Sequence, residues 1–376
     1  MSRINSEREW WKEAVIYQIY PQSFKDSDND GVGDWQGIIS KLDYLQSLGI
    51  DAICFRPFSS HLSHQDSLQK NTFEQLVKEA NSRGLKVISS RADLPISFQT
   101  EHLILRESSN FLNPPTELKL SELKRIFRKR EQAKDDWNCV YWGDHDTPRV
   151  LSRFGNTSKY ENESAKMLGM ILLTLKGTSL IYQGDELGMS NCIFNSVEEF
   201  RDEKVSEIYE SVIKKIGIDE QVFLRVCNQI SVDHARTPMP WDNTEMAGFT
   251  EGDMSWLKIN PSNTRINVAL QEKDSESILN FYRSLIKIRK EHPDLIYGDY
   301  NDLRPNCNKI FAYKRIGKDF TYLVLNNWTN KTQSFSVKCK ASVLNLLLSN
   351  YSNESHYESN TFELQPYECR IYEYAH

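Results

Sequence analysis

Two rhythms of apolar and polar positions divide the chain. Ala14 to Tyr20 is a short, nearly continuous apolar run with charge before it and Pro21 after it. Runs of that kind are strands covered on both faces. Trp35 to Leu48 has the spacing of an amphipathic helix closed by Gly49, and Asp51 to Phe55 predicts a second strand. Asn71 with Glu74 three residues on predicts a capping box that opens a helix over Thr72 to Ser82. Gly84 ends it and Leu85 to Ile88 is a third strand. Strand, helix and strand at this spacing imply a parallel sheet with helices outside it. Further on, the pattern gives a candidate strand within Ile96 to Leu105, a basic helix over Ser121 to Ala133 and a strand over Cys139 to Trp142. A helix over Ala165 to Leu175, a strand over Ser179 to Tyr182, a partly helical polar stretch from Asn191 to Asp233 and a helix over Ile278 to Lys290 follow. From about Tyr297 the rhythm changes. Phe311 to Tyr313, Phe320 to Leu325, Ser334 to Val337, Val343 to Leu348 and Cys369 to Tyr374 are short strands between Asn, Ser and Pro turns, which predicts an antiparallel β domain.

Composition narrows the function class. Of the 376 residues, 39% are hydrophobic and 26% charged, which supports a packed core and excludes a disordered chain. The net charge of −6 and the lack of a basic block argue against a nucleic-acid partner. No apolar stretch approaches the roughly 18 residues of a membrane span. Met1 to Glu13 is polar and charged, so no secretory signal is expected. Seven scattered cysteines with no Cys-x-x-Cys pair predict reduced thiols in the cytoplasm, not a disulfide framework or a zinc site.

Four stretches carry candidate chemistry. Asp26, Asp28, Asp30 and Asp34 alternate around Gly31, and with the Val32 carbonyl they form a set of hard oxygen ligands suited to Ca²⁺ or Mg²⁺. A solvated acidic loop is the competing reading. His145-Asp146 falls at the end of a predicted strand, where parallel barrels place catalytic groups. Arg236 offers a fork for a carboxylate or for sugar hydroxyls. Asp185-Glu186 is a second strand-end acidic pair, or a helix N-terminus.

Trp10-Trp11-Lys12-Glu13 with Tyr17-Gln18-Ile19-Tyr20-Pro21 resembles the opening of the maltase and oligo-1,6-glucosidase group of the α-amylase family. Gly37 to Leu45, His145-Asp146-Thr147-Pro148-Arg149, Arg153-Phe154-Gly155, Tyr182 to Met189 and Ala235 to Trp241 continue the resemblance, with Pro240 standing where the family usually has Gln. It implies a (β/α)₈ barrel with a C-terminal β domain, and retaining hydrolysis of α-1,4 or α-1,6 bonds in short glucosides. That reaction needs two carboxylates, a nucleophile and a general acid/base. By resemblance, Asp146 is a third carboxylate that stabilises the transition state, His145 and Arg236 bind sugar, and Asp26, Asp28, Asp30, Val32 and Asp34 form a structural calcium loop.

The pair itself is missing. The family's Asp-Gly-Phe-Arg-x-Asp nucleophile block and its Gly-Glu acid block have no counterpart. The one Asp-Gly dipeptide is Asp30-Gly31, and no Gly-Glu dipeptide exists. Spacing agrees, because Ala14 to Asp146 is 133 residues where six barrel units need roughly 190. The expected architecture is therefore α/β, a truncated barrel over residues 1–292 that lacks strands 4 and 5, followed by an antiparallel β domain over 293–376. The expected function is that of an inactive α-glucosidase homologue, a pseudoenzyme that binds small α-glucosides weakly, with no nucleic-acid or membrane partner. A working enzyme that recruits Asp185, Glu186 or Asp93, and a non-catalytic scaffold, are the alternatives.

Overall fold

The computed structural model describes residues 8–56, 67–88, 94–103, 114–132, 137–337, 344–352 and 361–375. Five parallel strands build the first sheet: β1 (Val15–Ile19), β2 (Ala52–Phe55), β3 (Lys86–Ile88), β4 (Cys139–Val140) and β5 (Thr178–Tyr182). Their order is β3-β2-β1-β5-β4. β1 and β5 sit at its centre and are buried along their whole length, as their apolar runs require. Val15, Tyr17 and Ile19 of β1 pack outward against helical side chains such as Leu45, Leu168 and Ile171. Ile16 faces inward with Ala52, Leu180 and Tyr141.

Between β1 and β2 the chain is helical at Trp35–Ser40 and Leu42–Leu48, interrupted at Lys41, where the predicted single helix breaks. The next helix runs from Ser67 to Ser82, so Asn71 lies inside it, and the predicted capping-box start is corrected. Leu120–Gln132, Glu161–Thr174 and Ile278–Glu291 are the further long helices near their predicted places. Within the expected strand after Ile96, the structure has one parallel bridge, Ser97 to Asn138, beside β4. Among the described residues no ladder joins this segment to β3. Instead Leu94, Ile96 and Phe98 pack against Ile16, Ile88 and Tyr141, and so fill the space inside the curl of the sheet.

The second sheet is antiparallel, in the order β10-β12-β8-β7-β6. Its strands are β6 (Asp299–Asp302), β7 (Ile310–Ile316), β8 (Phe320–Asn327), β10 (Asn345–Ser349) and β12 (Cys369–Ala375). β9 (Gln333–Ser336) pairs with β11 (Thr361–Leu364) in a two-stranded ribbon. Alternation along β7 and β8 divides their side chains. Ile310, Ala312, Leu323 and Leu325 pack with Phe335 and Phe362 of the ribbon. Phe311, Tyr313, Tyr322 and Val324 join the large core of the first half. The Phe311 ring stacks on Phe127 with centroids 6.2 Å apart, and the Tyr313 hydroxyl meets Thr174 Oγ1 at 2.5 Å.

Candidate active site

Parallel strands bring their C-terminal ends to one side, and the sequence-predicted sugar residues meet there. Tyr20 follows β1, Arg56 follows β2, and Asp144, His145 and Asp146 form a turn after β4. Asp144 shapes that turn: its side chain accepts the Asp146 N–H at 3.0 Å and its carbonyl accepts the Thr147 N–H at 3.2 Å. Arg236 comes from the short helix Asp233–Arg236. Its Nη2 donates to Asp146 Oδ1 at 2.9 Å and its Nε to the His145 carbonyl at 2.9 Å. His145 Nε2 lies 3.2 Å from Asp146 Oδ2. The structure therefore unites His145, Asp146 and Arg236, as the sequence predicts. Burial pushes the His145 imidazole below its usual range, against the opposing pull of Asp146 and Asp144. It is neutral near pH 7, where it can serve as a hydrogen-bonding group.

Tyr20 completes this wall. Its ring stacks with His145, at 5.9 Å, and with Trp256, at 6.1 Å, and the Arg236 guanidinium lies 5.8 Å from its centre. Tyr20 stands at a strand end inside a quoted motif, so its place was readable. Trp256 lies in a loop of Gly, Asp and Ser whose sequence carries no site signal.

Behind this wall the interior of the sheet is nearly full. A cavity of about 40 Å³ remains, lined by Ile16, Cys54, Ile96, Phe98 and Tyr141, with Arg56 and Asp144 among its polar residues. Pockets for small ligands run from about 300 Å³ upward. A wider cleft of about 800 Å³, with polar and apolar walls, begins at Asp146 and runs past Asn191, Asn228 and Asn260.

Asp185 and Glu186 are not at the sugar site. Glu186 is fully buried and accepts the hydroxyls of Tyr17 and Tyr44, each at 2.7 Å, and the Gly184 N–H at 2.9 Å. Asp185 is buried beside Arg149, and burial pushes its carboxyl up to about 8. Both side chains are buried in the turn after β5. Asp93 lies outside the described residues.

In the acidic loop, carboxylate oxygens of Asp26, Asp28 and Asp34 come within 4.8 Å of one another. Asp30 is not grouped with them; its Oδ1 accepts the Val32 N–H at 2.8 Å. Asp26 already accepts the N–H groups of Asp28, Asn29 and Gly31, and Asp34 caps the helix Trp35–Ser40 through the Gly37 N–H. Burial raises the Asp28 carboxyl, and the negative charges of Asp30, Asp34 and Asp26 push it the same way. Three gathered hard-oxygen donors suit Ca²⁺, and these are the residues that would hold it.

A parallel α/β layer with its polar cluster at the strand C-termini, followed by an antiparallel β unit, is the layout in which α/β enzymes place their sites. The chain belongs to the alpha-amylase family: the alpha amylase catalytic domain matches residues 18–90 and 87–298, and the alpha-amylase SusG C-terminal domain matches 310–371. It is 27% identical to the oligo-1,6-glucosidase of Halalkalibacterium halodurans over 557 residues, spanning 97% of this chain and 99% of that one. It is 24% identical to the trehalose-6-phosphate hydrolase of Escherichia coli, across 96% and 98% of the two chains. The isomaltulose synthase of Klebsiella sp. LX3 shares the fold, with a TM-score of 0.90 at 23% identity and coverage of 98% and 100%.

Proposed function

We propose that this chain is an α-glucosidase homologue that keeps one wall of the sugar site and has lost the hydrolytic pair. One observation carries the reading. Among the described residues, the two carboxylates that follow β4, Asp144 and Asp146, come from a single turn, and their oxygens lie within 4.8 Å of each other. Retaining hydrolysis needs two carboxyl groups about 5–5.5 Å apart on opposite sides of the scissile bond. Two groups on one turn, one of them tied to Arg236, would meet a glycosidic bond from the same side and do not supply that arrangement. The catalytic-domain match also breaks at residues 87–90, which supports a junction there in place of strands 4 and 5. Alignment over 557 residues with a chain of 376 points the same way.

On this reading Arg236 orients Asp146, and neutral His145 donates to or accepts from a sugar hydroxyl. Tyr20 supplies a ring face. Each hydrogen bond to a sugar is worth about 0.5–1.5 kcal/mol, so half a site holds a glucoside at millimolar strength or worse. The Asp26, Asp28 and Asp34 loop would take Ca²⁺ as a structural ion. The same reading divides the chain near residue 293 and keeps its thiols reduced in the cytoplasm. The test is hydrolysis of p-nitrophenyl α-glucoside, maltose and isomaltose, where the protein should be no faster than its Asp146→Asn variant. Turnover that disappears in that variant would restore the enzyme.

A further inference from the structure

On the opposite side from the sugar wall, near the N-terminal ends of β4 and β5, a cavity of about 20 Å³ is closed in by Phe127, Arg130, Glu131, Asn138, Val140, Leu175 and Lys176. Arg130, on the helix Leu120–Gln132, is only 6% exposed. Its Nη2 is engaged by the Gln99 carbonyl and His102 Nδ1. Its Nε and Nη1 are buried with no hydrogen-bond partner among the described residues. A guanidinium stays charged at any working pH and burying it without a counter-charge is strongly unfavourable.

Among the described residues the surrounding acids are already committed. Glu131 takes the Arg315 guanidinium at 2.7 Å and the Lys176 N–H at 3.0 Å. Glu101 holds the Lys129 ammonium at 2.6 Å. Neither Arg130 nor Lys176 has a carboxylate within ion-pair reach among the described residues. His102, the near neighbour, is kept neutral by burial and by the charges of Arg130 and Arg153, so it adds no compensating charge. Arg130 and Lys176 thus border a void whose one carboxylate among the described residues, Glu131, is shared elsewhere, and the Lys176 ammonium lies 6.0 Å from the centre of the Trp137 ring.

We propose that this cavity binds one halide-sized monovalent anion, held by Nε and Nη1 of Arg130 and faced by Lys176. Size sets the class. A void of about 20 Å³ exceeds the roughly 10–15 Å³ that one water needs, and a polyatomic sulfate or phosphate would not fit. The apolar walls of Phe127, Val140 and Leu175 suit a weakly hydrated ion more than a water that seeks two to four polar partners.

Melting of the intact chain would be followed in sodium chloride, bromide, sulfate and gluconate at equal ionic strength. Chloride and bromide should raise the midpoint by about 2 °C or more with a saturating concentration dependence, through binding to the folded state alone. Sulfate and gluconate should not. Arg130→Met should abolish the halide response and Lys176→Gln should shift it to higher concentration. Crystals grown in bromide read the site without any variant, and should show an anomalous peak beside Arg130. Equal melting in all four salts, or a cavity without that peak, would overturn the proposal and leave a water in its place.

Discussion

Asp185 and Glu186 show how an acidic pair at a strand end can serve the fold and not the chemistry. Glu186 gathers two tyrosine hydroxyls and one N–H in a fully buried place. Glu186→Ala should therefore strand Tyr17 and Tyr44, at about 1–3 kcal/mol for each orphaned donor, measured as a lower urea midpoint. An unchanged midpoint would mean the hydroxyls find other acceptors. Asp185 acts through its proton. Its ordinary value is 3.8 and the folded value is about 8, so between these pH values the folded chain holds a proton that the unfolded chain has released. Its contribution is complete below about pH 4, falls as pH rises to 8, and is flat above. Asp185→Asn removes this slope, so the variant should gain stability relative to the parent across pH 4–8. Parallel stability curves for the two proteins would show that Asp185 titrates normally.

At the scale of elements, the acidic loop and the helix it feeds are one device. Asp34 is both a member of the carboxylate cluster and the cap of Trp35–Ser40. Asp34→Ala should cost about 1 kcal/mol even in a chelator, from the lost cap alone, and should also remove any rise in melting temperature with Ca²⁺. Identical melting of the parent protein in EDTA and in excess Ca²⁺ would make the loop a solvated turn. Gly37 in that helix has no room for a side chain, since a Cβ would lie 2.0 Å from the Lys25 carbonyl oxygen. Which elements were legible follows from what their sequences bury. β1 and β5 are wholly apolar, and their runs stand out. β6 is Asp-Tyr-Asn-Asp, exposed on alternate positions at the sheet edge, and nothing in its pattern marks a strand. Lys41 interrupts a helix whose apolar period continues through it, so the sequence shows one helix where the backbone makes two. In the site, His145, Asp146 and Arg236 were legible because each sits in a recognisable block. Trp256 and the Arg130 cavity were not, because they depend on segments far apart in sequence meeting in space.

For the whole molecule, the question is what fills the space inside the curl of the parallel sheet. Leu94, Ile96 and Phe98 do so, leaving a space far smaller than a ligand pocket. The two halves also share a core. Phe311, Tyr313, Tyr322 and Val324 cluster with residues of the first sheet and its helices. Heat should therefore unfold the chain in one transition, with coincident near-ultraviolet and far-ultraviolet circular dichroism. Two separated transitions would show that the C-terminal sheets are independent. The filled interior has one further consequence, for covalent labelling. Among the described cysteines, Cys54 and Cys307 are half-buried, and Cys54 lines the strand-end cavity, whereas Cys139, Cys192, Cys227 and Cys369 are buried. A compact thiol reagent such as iodoacetamide can enter there slowly, while a bulky maleimide dye is excluded by the packed Ile96 and Phe98. The ratio of the two labelling rates at Cys54, read by peptide mass spectrometry, becomes a gauge of how tightly the parallel sheet has closed over its own centre.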